Sequence, residues 1–345
     1  MQLEVYYITE QLKNLLSIPS PTGNTEKAID FLESEFKSLN LKTRRNNKGG
    51  LIATLPGEIT EEEITLSAHV DTLGAMVKEI KPNGRLKLTQ IGGYAWSTIE
   101  GEYVNIETLD GDTYSGTVLT TKSSVHVHGS ETTTIERNQD NMEIRLDEKV
   151  ESKGDVLDLG INVGDFIHID PKIEFTESGF IKSRHLDDKA GVVSILAIAK
   201  YFVDNNISPK YTTNFYISNY EEVGHGASSN MPEKTVEFLA IDMAAPGEGQ
   251  TSDEFSVTIC AKDSSGPYDL NMRRKLTHLA KKEGLSYKVD IYPSYGSDAS
   301  AALRAGNDIR AGLIGPGVDA SHSYERTHIE AIQNTVRLAI LYLTN

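Results

Sequence analysis

The sequence predicts an α/β protein, a mixed and largely parallel sheet flanked by helices, interrupted by an inserted β-barrel domain. Three observations carry this expectation. After Asp187, β-rich runs and helical patterns alternate to the end of the chain. From about Leu73 to Gly179 helical periodicity fades, and short Val/Ile/Thr/Tyr-rich segments are parted by Asn83-Gly84, Gly92-Gly93, Asp110-Gly111 and Gly164-Asp165. Acids and histidines recur just past the ends of β-rich runs. The expected division is 1–72 with 180–345 as one domain and 73–179 as the insert.

In chain order, Tyr7 to Leu16 reads as a first helix, stopped by the turn Pro19-Ser20-Pro21-Thr22-Gly23. Glu26 to Leu39 reads as a second, with Ala28, Ile29, Leu32, Phe36 and Leu39 on one face. Leu51 to Leu55 and Ile64 to Ala68 are strands, and the second delivers His69 and Asp71 at its carboxyl end. Beyond the insert, the apolar run Val192 to Ala199 continues a helix opened by Asp187-Asp188. Strands follow at Tyr211 to Ser218, which runs into Glu221-Glu222-Val223-Gly224, and at Val236 to Ile241, which ends at Asp242. Later come a strand at Ser256 to Ala261, a helix near Leu270 to Glu283 and a strand at Tyr287 to Tyr292. A short helix after Asp298, a strand at Ile309 to Ile314 and a helix from Ile329 to Leu343 complete the chain.

Composition bounds the function. The chain has 345 residues, 38% hydrophobic and 24% charged, enough for a large core in two domains. With 34 basic and 50 acidic residues the formal charge is −16, which argues against nucleic acid or anionic membranes as partners. The lone Cys260 forms no internal disulfide, the start lacks a signal-peptide pattern, and no run approaches a membrane span, so the expected address is the cytoplasm.

Taken alone, Asp187 and Asp188 would be helix-capping acids. The wider inventory outweighs that reading: Ala68-His69-Val70-Asp71 lies upstream, and Glu221-Glu222, Asp242 and His322 lie downstream. In an open α/β sheet the ligand crevice lies beyond the carboxyl ends of the strands, so these side chains would converge there. Imidazole and carboxylate without thiolate suit zinc, cobalt or manganese, and the acids outnumber what one tetrahedral ion needs. Two ions sharing a carboxylate fit better. Such pairs, roughly 3.5–4 Å apart, activate water and polarise a carbonyl in hydrolases.

At these residues the sequence resembles the tetrahedral-assembly aminopeptidases of metallopeptidase family forty-two, relatives of glutamyl aminopeptidase and of chains labelled cellulase M. The matching segments are Ala68-His69-Val70-Asp71, Leu186-Asp187-Asp188-Lys189-Ala190-Gly191, Glu221-Glu222-Val223-Gly224, Ile241-Asp242 and His322-Ser323-Tyr324-Glu325, in the family's order along essentially the whole chain. The resemblance implies a zinc-aminopeptidase-like catalytic domain binding two ions, zinc or cobalt before manganese. It makes Asp187 the bridging ligand, with His69 and Asp242 on one side and Glu222 and His322 on the other. Glu221 becomes the general base, and Asp71 the partner of the second nitrogen of His69. It also implies short peptides with free amino termini as substrates, and an insert that builds dimers or a tetrahedral dodecamer. Thr72 and Tyr324 depart from the family pattern, standing where many relatives carry an acid and a proline.

Each reading has a plainer rival. His69 would otherwise be a partly buried histidine, Glu221-Glu222 a solvated loop pair, and His328 competes with His322. His126 and His128 would share one face of a strand, but the resemblance puts them in the insert, where they read as structural. Asp298 reads as a helix cap that the resemblance places near the active site, Asp188 and Lys189 as local supports, and Trp96 as packing. A glycosidase would need two carboxylates flanking a glycosidic bond, ~5 Å apart or more, whereas adjacent Glu221 and Glu222 on extended chain would point to opposite sides. A two-metal carboxypeptidase or deacylase shares the chemistry. A non-enzymatic metal or peptide binder would have no need of the spare acid Glu221.

Overall fold

Alternation of buried and exposed residues gives way to continuous burial where strands become central. In Ile59–His69 the acids Glu61 and Glu62 are exposed, whereas Ile64 through His69 are buried, as expected of a parallel strand covered on both faces. The computed structural model describes residues 3–345, and the chain divides into two units, 1–71 with 172–345 and 72–171.

In the larger unit a nine-stranded sheet has a parallel centre. Tyr211–Ser218, Ile59–His69, Thr235–Ile241 and Arg310–Pro316 are parallel neighbours in that order. Antiparallel strands flank them: Leu51–Leu55 and Lys42–Arg45 on one side, Val257–Asp263 on the other. Tyr287–Ile291 and Gly266–Pro267 both pair with Val257–Asp263. Helix Leu186–Asp204 is apolar nearly all round and buried from Leu186 to Ala199, the pattern of a helix enclosed by its own domain. Val5–Leu16, Glu26–Ser38 and Ile329–Thr344 instead bury one stripe each, the first through Ile8, Leu12, Leu15 and Leu16. These side chains form one apolar core with the sheet.

A small antiparallel sheet of Glu174–Phe175, Phe180–Ser183 and Glu325–His328 belongs to this unit, so residues 172–179, which the sequence assigns to the insert, lie in the larger unit instead. Their partner is Phe180–Ser183, whose Ser183 stands opposite Glu325 and leads directly to Asp187.

The smaller unit is a closed barrel in the order Gly74–Ile80, Leu86–Ile91, Met142–Leu146, Thr113–Thr120, Tyr103–Glu107, Phe166–Ile169. Val77, Leu88, Val104, Ile106, Val118, Ile144 and Ile167 contribute to its core, with Trp96 packed against it. The insert is not wholly β. Val125–His128, Glu131–Thr134 and Lys153–Asp158 are short helices, and His126 and His128 therefore lie on a helical turn rather than a strand. No helix among the described residues is long and apolar enough to cross a membrane.

Candidate metal centre

The parallel strands end on one side, and each end carries part of the inventory. His69 closes its strand in register with Ser218, and the chain leaving Ser218 carries Glu221 and Glu222. Asp242 follows Ile241, which pairs with Ile314, and the loop beyond Pro316 carries His322. Asp187 arrives from the small sheet, where the backbone of Asp187 and Asp188 departs from helical angles before the long helix settles.

The side chains form two ligand-like groups that share one carboxylate: His69, Asp187 and Asp242, and Asp187, Glu222 and His322. His69 Nε2 lies 3.2 Å from Asp187 Oδ1, and His322 Nε2 lies 3.3 Å from Asp187 Oδ2 and 3.5 Å from Glu222 Oε2. Glu221 belongs to neither group, yet its Oε2 is 3.7 Å from His69 Nε2. Asp187, Glu221, Glu222, Asp242 and His322 line a cavity of about 390 Å³. A larger groove of about 820 Å³ lies between Leu270–Lys282 and Tyr287–Ile291, but its His278 and Asp290 stand among Arg273, Arg274 and Lys281 and belong to no ligand group among the described residues.

The supporting contacts differ from the sequence expectation in informative ways. Asp71 meets His69 through its backbone: the carbonyl accepts from Nδ1 at 2.8 Å, while the carboxylate stands 3.7 Å away. A carbonyl only accepts, so Nδ1 carries a proton and Nε2, beside Asp187, is the nitrogen a metal ion would take. The Asp71 carboxylate instead accepts from the backbone N–H of Glu221 at 3.1 Å and of Glu222 at 3.3 Å, and from the Thr22 hydroxyl at 2.7 Å. Asp188 accepts from the N–H of His69 and of Gly191, the latter the local support expected. Lys189 reaches further than expected, donating to the carbonyls of Leu15 and Ile18.

Asp298 is not the cap of its helix. Ser297 takes that position in a capping box, and Asp298 is buried, accepting from Ser218 Oγ at 2.7 Å and the N–H of Ala227 at 2.9 Å. His328 bonds Ser178 O and packs on Phe180 and Phe255, so it joins neither ligand group. Tyr324 donates to Lys172 O and Thr72 to Leu73 O. Sequence reasoning gave Glu325 no role, yet its two oxygens accept from the N–H of Asp187 at 3.1 Å and of His322 at 3.0 Å. Its signal in the sequence is its place in the matching segment His322-Ser323-Tyr324-Glu325.

The electrostatics fit cations. Burial pushes the Glu221, Glu222 and Asp242 carboxyls up, Asp242 to about 7, with the charge of Asp187 acting in the same direction on the last two. Burial also raises Asp187, but the His322 and His69 imidazoles outweigh it and hold that carboxyl below the usual range. Burial would lower His69; contact with Asp187, then the charges of Glu221, Asp242 and Asp71, raise it well above the ordinary value. Glu222 Oε1 is buried without a hydrogen-bond donor. Crowded carboxylates, an orphaned oxygen and imidazoles offering nitrogen are the donor set of hard or borderline divalent ions.

A pH dependence follows for metal-stripped protein. Asp242 at about 7 and Glu325 at about 8 sit above their ordinary values of 3.8 and 4.5, so the folded state binds protons more tightly than the unfolded chain. Their stabilisation is complete below about pH 4 and is lost as pH climbs through 7 to 8. A divalent ion replaces the proton of Asp242 and brings positive charge near Glu325, so the gap in melting temperature between metal-loaded and stripped protein is expected to widen from pH 5 to pH 8. A gap independent of pH in thermal melts would contradict this account.

The profile of the M42 glutamyl aminopeptidase family matches residues 49–338. The chain is 56% identical over 334 residues to the candidate aminopeptidase YhfE of Bacillus subtilis (strain 168), covering 97% of this chain and 96% of that protein. Its fold is similar to the TET1 peptidase of Pyrococcus horikoshii, at TM-score 0.85 and 24% identity over 98% of this chain and 99% of that one. It is also similar to aminopeptidase APDkam598 of the archaeon Desulfurococcus kamchatkensis, at TM-score 0.87 and 23% identity over 98% and 94% of the two chains.

Proposed function

The chain belongs to the M42 glutamyl aminopeptidase family and has the architecture of a two-metal aminopeptidase, and from that premise we propose that it hydrolyses the N-terminal residue from short peptides with free amino termini. The observation that carries the reading is the pair of ligand groups joined by Asp187, with Glu221 beside them and in neither. His69 and Asp242 would hold one ion, Glu222 and His322 the other, and Asp187 both. Zinc or cobalt suits nitrogen and oxygen donors without thiolate, and manganese is tolerated by the same set. Two such ions supply Lewis acidity, lowering the pKa of a water and polarising a carbonyl.

The chain's own residues do the rest. Glu221 accepts the proton of the attacking water and returns it to the leaving amine. Asp71 fixes the backbone under Glu221 and Glu222, and Glu325 fixes that under Asp187 and His322. The test uses metal-stripped protein reconstituted with zinc, cobalt or manganese and offered chromogenic aminoacyl substrates, with N-acetylated peptides as controls. Aminoacyl substrates should turn over and acetylated ones should be refused. No turnover with any metal, or comparable cleavage of acetylated peptides, removes the reading.

Assembly through the insert belongs to the same proposal, from a dimer up to a dodecamer in the cytoplasm. The Pyrococcus horikoshii relative assembles into a tetrahedron or an octahedral shell. Here the insert exposes Tyr103, Leu109, Val125, Val127 and Val163, apolar side chains suited to cover by another subunit. A fully active, metal-loaded monomer by light scattering at micromolar concentration would exclude it. The formal charge of −16 supports neither nucleic acid nor an anionic membrane surface as a partner.

A further inference from the structure

Resting on the aminopeptidase reading, we propose that the cavity favours peptides whose first side chain is apolar over those beginning with glutamate or aspartate, although the family takes its description from glutamyl substrates. Beyond the ligand groups and Glu221, the wall is Gly224, Met243, Ser294, Tyr295, Gly296 and Ser321. The Tyr295 hydroxyl donates to Met243 O at 2.9 Å and also lies against the Asp242 carboxylate, so its polar end is engaged within the protein and the ring is what remains for a substrate. Met243, whose side chain is buried in the core, adds no charge to the wall.

The neighbouring cations are committed elsewhere. Lys48 donates to the carbonyls of His225 and Gly226 and to Ser228 Oγ, Arg304 to Gly224 O, and Arg184 to Ser323 O; none of the three lines the cavity. Metal loading does not change the balance, because the formal charge of two divalent ions is matched by Asp187, Glu221, Glu222 and Asp242. A substrate carboxylate packed against this wall would lose water and gain no counter-ion, which is costly to the extent that it is desolvated. An apolar side chain loses nothing there and gains contact with the Tyr295 ring.

The experiment compares kcat/KM of metal-loaded protein on leucyl, methionyl, glutamyl and aspartyl chromogenic substrates. Calorimetric titration of free leucine and free glutamate into the same holoenzyme adds a readout that needs no turnover. Neutral substrates are expected to lead acidic ones by ~10²-fold or more, the scale set by an unpaired buried polar group, with leucine binding more tightly than glutamate. Glutamyl turnover within tenfold of leucyl, or glutamate binding as tightly as leucine, overturns the proposal. Ser294 is exposed on the wall, so Ser294→Arg tests the location: a guanidinium there should raise the glutamyl-to-leucyl ratio about tenfold. A ratio unmoved by that change overturns the assignment of this wall to the first side chain. Failure of the underlying reading is distinguishable, because then no aminoacyl substrate turns over with any metal and the calorimetric order alone decides selectivity.

Discussion

Glu221→Gln is expected to cut kcat by ~10²–10⁴-fold while both ions and most of the substrate affinity remain. The amide keeps the size and shape of the carboxylate but accepts no proton during attack. Glu221 lies outside both ligand groups, so its loss leaves their donors intact, and its backbone N–H stays bonded to Asp71 whatever side chain it carries. The signature is therefore a split: kcat collapses, KM moves little and metal content is unchanged. Metal analysis with steady-state kinetics reads all three. Near-normal turnover would remove Glu221 as the base, and loss of an ion together with turnover would make it a ligand instead.

Asp187→Ala should fail differently, by releasing at least one ion. Asp187 is the side chain common to both groups, and its two oxygens face different imidazoles, Oδ1 that of His69 and Oδ2 that of His322. Removing it leaves each group with two donors and takes away the shared negative charge that holds two cations against their mutual repulsion. Activity should be lost with the metal and should recover poorly when excess metal is added. Two tightly held ions per chain in Asp187→Ala, measured after exhaustive dialysis, would end its assignment as the bridge.

Much of this was legible because strands announce themselves and their ends converge. The β-rich runs before His69, Glu221 and Asp242 fixed where those residues leave the sheet, and a parallel sheet brings such ends to one crevice. What stayed hidden depends on hydrogen bonds that a pattern of residue types does not encode. Asp71 was visible as a partner of His69, but nothing in a string of letters says that its carbonyl rather than its carboxylate makes the contact. Asp298 looked like a cap because an acid after Gly296-Ser297 fits one, yet Ser297 fits as well and took the position. His126 and His128 were set on a strand by their β-rich surroundings, whereas the barrel's long connection coils there into short helices.

The two carboxylates that hold loop backbone, Asp71 beneath Glu221 and Glu222 and Glu325 beneath Asp187 and His322, make the frame indifferent to what the neighbouring loops display. Ser294, Gly296 and Ser321 receive nothing from either clamp, so they form a region open to drift. A laboratory library confined to those three positions should yield enzymes that differ in diet but not in chemistry, whereas the same diversity spent on Asp71 or Glu325 would return chiefly inactive protein.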